Sequence, residues 1–136
     1  MIVMNLVEDL RRMIAAVPQA ATAAISIGCY VDDARSELSL QRIGSYIRDD
    51  DGDFNLVPLG IGANLDLAEQ PWTVEPLLQA LESRPDVHAA PLYVHYATKM
   101  SGTYIASLGA PALGVGLDDA AGAYVLYGET GYPESN

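Results

Sequence analysis

The stretch YIRDDDGDFN, residues 46 to 55, gathers Asp49, Asp50, Asp51 and Asp53 around Gly52. Carboxylates this close can hold a hard cation, dock a basic protein or build a turn. An EF-hand loop needs acids at its first, third and fifth positions, glycine at the sixth and Glu at the twelfth. With Gly52 in sixth place, Ile47 falls first and Pro58 twelfth. The spacing therefore excludes that calcium loop, and no metal site is expected. Asp and Gly accept positive φ, which a tight hairpin demands. A related run, DDAAGAY at 118 to 124, also lies between apolar stretches. A turn alone does not explain Asp49 and Asp53, which stand where the related run has Leu117 and Ala121.

The histidines, His88 and His95, are seven residues apart. On one predicted strand they point to opposite faces, so they cannot share a metal. If MSG at 100 to 102 makes a turn, Tyr104 lands across from Ala97. Tyr93, His95 and Tyr104 would then share a sheet face, as a small polar ligand site or as a general base with a phenol donor. Cross-strand aromatic packing is the alternative. Cys29 occupies a core-facing strand position and reads as a small buried hydrophobe. GAPALGVG, 109 to 116, lacks the Lys and Ser/Thr of a phosphate loop, and LGIGAN, 59 to 64, does not open a helix. No Ser, His and Asp arrangement stands out. The expectation is a protein without catalytic residues or a cofactor.

The elements that must carry these residues come in two sets. Residues 7 to 33 and 74 to 100 align at an offset of 67, pairing Val7 with Val74, Glu8 with Glu75, Leu10 with Leu77, Pro18 with Pro85 and Ala23 with Ala90. After a one-residue insertion the offset becomes 68, pairing Ser39 with Ser107, Asp50 with Asp118, Val57 with Val125 and Gly60 with Gly128. Each half reads as a helix followed by three strands. The first helix is expected to start at Asn5, with Glu8 three residues on, and to end at Pro18. The second starts near Thr73 and tolerates Pro76 in its first turn. Strands are expected at AISIGCYV and APLYVHY, and near 38–48, 54–63, 103–109, 112–117 and 123–128. Pro111 and its glycine neighbours should bend or bulge the middle strand of the second half. The expected fold is α+β: an internally duplicated helix-strand-strand-strand unit, mostly antiparallel, with both helices on one face. It forms a single domain over 1–136, from halves at about 5–65 and 72–130, with 130–136 a loose tail.

Composition bounds the partners. Half the residues are apolar, enough for a packed core, and 18 acids against seven bases give a net charge of −11. Lys99 is the only lysine. Such a surface repels phosphate backbones, so direct nucleic-acid binding is not expected. It favours a basic protein partner, although solvation in a salt-rich cell or GC-rich coding produces the same composition. No apolar run reaches the roughly 18 to 20 residues of a membrane span. The mixed charges of MIVMNLVEDLRRM do not form a signal peptide, and a cytoplasmic protein is expected.

The second half carries a resemblance. VEPLLQAL, APLYVHY and ALGVGLDDAAGAYVLYGE are similar to the immunity proteins that accompany actinobacterial polymorphic toxins, particularly deaminase toxins. The matching positions, within 73 to 129, are Val74, Leu77 and Leu78, then Gly114, Val115, Asp118, Gly122, Leu126, Tyr127 and Gly128. The resemblance implies a non-enzymatic inhibitor that binds one cognate toxin domain and blocks its active site. The residues assigned to that contact are Asp49, Asp50, Asp51 and Asp53 with Asp118 and Asp119. The rival reading is a ligand-binding or regulatory module around Tyr93, His95 and Tyr104.

Overall fold

The computed structural model describes residues 1–30, 38–60, 70–100, 103–118 and 123–128. Helix α1 (Val3–Ala16) leads through a short 3₁₀ turn (Pro18–Thr22) into strands β1 (Ala24–Tyr30), β2 (Leu38–Arg48) and β3 (Phe54–Pro58). Helix α2 (Val74–Glu82) leads through a second 3₁₀ turn (Pro85–Val87) into β4 (Leu92–Met100), β5 (Thr103–Asp118) and β6 (Ala123–Gly128). The class is α+β, as expected. Pro18 and Pro85, matched in the sequence, each open the 3₁₀ turn of their half. Proline suits that position because its fixed φ is helical and its missing N–H would have had no intrahelical partner.

The six strands close into a barrel in sequence order. Pairs β1–β2, β2–β3, β4–β5 and β5–β6 are antiparallel, while β3–β4 and β6–β1 are parallel. The sheet is thus mixed, which corrects the expectation of a mostly antiparallel one. For β3–β4 the cause is the crossover, since α2 returns the chain so that β4 runs parallel to its predecessor; β6 then runs in the same direction as β1, and closure of the barrel sets the two side by side. Two strands serve as hinges of the closure. Strand β2 pairs with β1 through Leu38 to Arg42 and with β3 from Ile43 onward, with a register shift between Ile43 and Ser45. Strand β5 pairs with β4 through Pro111 and with β6 from Ala112, with a shift between Ala112 and Gly114. A bulge bends a strand and increases its twist, which lets one strand serve two sheets. The expected strands at 103–109 and 112–117 are therefore one strand, and the irregularity falls just after Pro111. Strand β3 runs to Pro58, and Leu59 still donates its N–H to the Arg42 carbonyl of β2 at 2.8 Å; positions 61–63 of the expected strand lie outside the described residues.

Four of the five residues of β3 are apolar and all are buried, the near-continuous apolar pattern of a strand covered on both faces. Leu6, Leu10, Leu77 and Leu81 from the helices share a core with Ile25, Ile27, Ile43, Tyr46, Phe54, Leu56, Leu92 and Val94. Arg11 and Glu82 tie the two helices together at the surface. Helix α1 starts at Val3, two residues before the expected Asn5 cap, and no side chain caps it. Its first free N–H groups bond carbonyls ahead of β4 instead: Val3 to Ala90 at 3.0 Å and Met4 to His88 at 2.8 Å. Donors satisfied in this way need no side-chain cap. Helix α2 begins after Thr73, with Pro76 in its first turn, as read from the sequence. The chain just before each helix bridges the start of the other half's first strand: Ile2 lies opposite Pro91, and Thr73 opposite Ala24. Among the described residues, no helix is long and apolar enough to cross a membrane.

Gly44, between the two register positions of the β2 bulge, has no room for a side chain. A Cβ there would stand 2.5 Å from the Cα of Leu59 and 2.8 Å from its N. Gly44→Ala should cost about 2 kcal/mol or more through forced backbone movement. Gly52 has open space but a φ of +87°, so Gly52→Ala should cost only about 1 kcal/mol for the left-handed conformation. Urea unfolding of the two variants checks the order.

Candidate functional site

The acidic stretch forms the turn between β2 and β3. Asp49 donates its N–H to the Asp53 carbonyl at 3.0 Å, and Gly52 donates its own to the Asp49 carbonyl at 3.0 Å. Gly52 supplies the positive φ. This is a three-residue hairpin loop, a β-turn followed by a left-handed glycine that forms a bulge. Asp49 organises it from within: its Oδ1 accepts the N–H groups of Asp51 at 3.0 Å and Asp53 at 2.9 Å. Such bonds from an Asp side chain to the backbone just ahead are why the residue favours turns. Asp50 and Asp51 are exposed and Asp53 is half-buried. Oxygens of Asp49, Asp51 and Asp53 lie within 4.8 Å of one another. A cation could bridge that spacing, but both Asp49 oxygens already accept hydrogen bonds.

Asn55 links this turn to the neighbouring strand. Its Nδ2 donates to Asp49 Oδ2 at 3.2 Å and to the Asp53 carbonyl at 3.2 Å. Both partners are acceptors, which fixes the amide orientation and leaves Oδ1 to receive a proton. His95 Nε2 lies 2.7 Å from that oxygen, so Nε2 carries the hydrogen in the neutral imidazole. The result is a directed chain: His95 donates to Asn55, and Asn55 donates to Asp49. The parallel register makes this possible, because Asn55 faces Tyr93 and so lies beside His95 two residues on. Asn55 is only 8% exposed, and a buried amide needs such partners.

The structure thus joins two candidate sets that the sequence kept apart, Asp49 from the acidic run and His95 from the aromatic cluster. Asn55 was overlooked as a site residue. Its signal was present: it is the one polar residue in FNLVP. Tyr104 stands elsewhere. The β4–β5 register sets it opposite Lys99, four residues along β4 from His95, because Met100 pairs with Thr103 and so belongs to the ladder instead of the turn. His88 is not on the strand. It follows the 3₁₀ turn, and its Nε2 lies 3.1 Å from the Leu81 carbonyl at the end of α2. Asp118 ends β5 opposite Ala123. Asp119 lies outside the described residues.

The root of the hairpin is fixed by a second group. Arg48 bonds Asp86 at 2.8 Å, and Arg84 donates to the Tyr46 hydroxyl at 3.1 Å. The Arg84 guanidinium lies 5.9 Å from the centre of the Tyr46 ring, within cation–π range. Tyr46 in turn stacks on Phe54 with ring centres 4.5 Å apart. The strands on either side of the turn are therefore held to each other and to the segment leading into β4.

Partial desolvation, followed by the Asp49 and Asp51 charges, holds the carboxyl of Asp53 above its usual range. Desolvation pulls His95 below its usual range, against the opposing influence of Asp49. Compared with family models, curated proteins and solved structures, the chain matches none.

A depressed His95 pKa means that the fold favours neutral imidazole. That contribution is complete above the unfolded-state value of about 6.5 and is lost as pH falls through it toward the lower folded value. The raised Asp53 acts in the other sense, adding stability as pH falls through its folded value, in the more acidic carboxylate range. Urea midpoints should therefore fall between about pH 7 and pH 5 for the wild type, and fall less for His95→Gln.

Proposed function

We propose that the protein is a small acidic inhibitor of the immunity type, which acts in the cytoplasm by covering a basic surface of a partner such as a toxin domain. The observation that carries this reading is the preorganised turn. Its backbone is set by the Asp49 carboxylate, so Asp50, Asp51 and Asp53 are presented together without a further ordering cost. Desolvation, and after it the like charges of Asp49 and Asp51, raise the Asp53 carboxyl, and a cationic partner would relieve the repulsive part. A net charge of −11 adds long-range steering toward the same class of partner. In this reading Asp49 shapes the turn and the other three aspartates meet the partner, joined by Asp118 and Asp119 from the related run. Occlusion needs no chemistry, so the protein is not an enzyme in this account.

We also infer that the two halves arose by duplication, with their helices on one side of the sheet. The repeated element order, the matched prolines and the reciprocal bridges before the helices support this. The halves are not equivalent at their turns, since the Asp49 and Asp53 positions correspond to Leu117 and Ala121.

A second reading, a ligand module, draws on Tyr93, Asn55 and His95. The parallel register makes Asn55 the neighbour of both β4 residues, and the Asn55–His95 hydrogen bond gives such a site a fixed donor and acceptor direction. Tyr104 has no place in it at the observed register.

Reversing Asp50, Asp51 and Asp53 to Lys should slow association with a basic partner recovered from the native cell by about tenfold or more, and should flatten its salt dependence. Stopped-flow mixing over a range of ionic strength measures both. An association rate and salt slope equal to those of the wild type would remove the turn from the interface.

A further inference from the structure

We propose that the Asp49–Asn55–His95 chain is a proton-responsive tie between the acidic turn and β4, so that a proton on His95 and a cation on the turn oppose each other. The geometry supplies the route. Asn55 is held with its amide protons on Asp49 and Asp53 and its oxygen on His95. A protonated imidazole is a stronger donor than a neutral one. It polarises the Asn55 amide, strengthens the amide's bond to Asp49 and offsets one of the turn's negative charges. The backbone N–H groups of Asp51 and Asp53, which rest on the same carboxylate, respond with it.

Among the described residues, Asp49 is the charge resolved as acting on this titration. Strand β3, on one edge of β4, contributes Phe54 to Pro58 with no ionisable side chain. Strand β5, on the other edge, places Gly109 opposite His95, with Ser107 to Pro111 also free of ionisable groups. Strands β1 and β6 carry Cys29, Tyr30, Tyr124 and Tyr127, whose ordinary pKa values lie above about 8. On β4 itself such residues are Tyr93, Tyr96 and Lys99, which ordinarily titrate at about pH 10.

The two effects are reciprocal by linkage. A cation neutralising the turn makes His95 harder to protonate, and lowering the pH weakens the turn's attraction for that cation. This consequence rests on the reading of the turn as a docking surface for a basic partner. The tie itself can be tested without any partner.

The experiment is a two-dimensional NMR titration of the ¹⁵N-labelled full chain between about pH 7.5 and pH 4.5, following the His95 imidazole and the Asp51 and Asp53 amides. The two amides should show an inflection at the His95 midpoint, distinguished from the turn's own carboxylate titration by its loss in the histidine variant. His95→Gln, which keeps a side-chain N–H donor but does not titrate, should abolish that inflection. Asp49→Asn should lower the His95 midpoint by about 0.5 unit, less than a directly paired carboxylate would. Amides that follow the carboxylate titration alone, or that keep their inflection in His95→Gln, would overturn the tie, as would an unmoved His95 midpoint in Asp49→Asn. Loss of the docking reading alone would leave these shifts intact.

Discussion

Closure of six strands into a barrel rests on two strands each pairing with different neighbours along their length. At the bulge of β2 the backbone passes so near Leu59 that only glycine fits at position 44. The carbonyl of Gly44 accepts from the Gln70 N–H at 3.1 Å and from the Trp72 indole at 3.0 Å, so the segment leading to α2 is fastened to the same point. Everything downstream inherits this geometry. The bulge sets the phase of β2 against β3, and the short parallel ladder then sets β3 against β4. A slip of one residue in either pairing would turn Asn55 to the other face of the sheet and separate it from His95.

Within that frame, polar and apolar faces divide by strand alternation. Tyr46, Phe54, Leu56, Leu92 and Val94 join the helices in one core. Ser45, Asn55, Val57, Tyr93 and His95 occupy the alternate positions. An apolar residue at 55 would have been the ordinary choice on so buried a strand. An amide there lets the turn and β4 share one hydrogen-bonded unit, with the Asn55 nitrogen and oxygen both bonded.

Much of this was legible in the sequence, for physical reasons that can be named. The order of helices and strands followed from periodicity, and the hairpin followed from the turn preference of DDDGD. The second helix start followed from Pro76, which fits only a first turn. The parallel pairs were not legible. They depend on where each helix delivers the chain, and residue alternation does not encode that. The partner switch within β5 was hidden because Pro111 and its glycines look like a break, whereas a strand lacking one N–H can continue through a proline. The apolar run around His88 reads as strand, and nothing in it encodes the carbonyl at the end of α2 that the ring faces. Asn55 was overlooked because a lone amide has no motif. Its role arises only from the register that brings His95 beside it. Tyr104 stands opposite Lys99 and not Ala97 because Met100 already pairs with Thr103, and turn preference alone does not fix where a ladder ends.

The bridges at Ile2–Pro91 and Thr73–Ala24 interlock the halves like two hands each gripping the other's wrist. Releasing α1 frees the approach to β4, and releasing α2 frees the approach to β1. Each helix start is thereby tied to the entry of the other half's first strand, so a change at one junction bears directly on the other half.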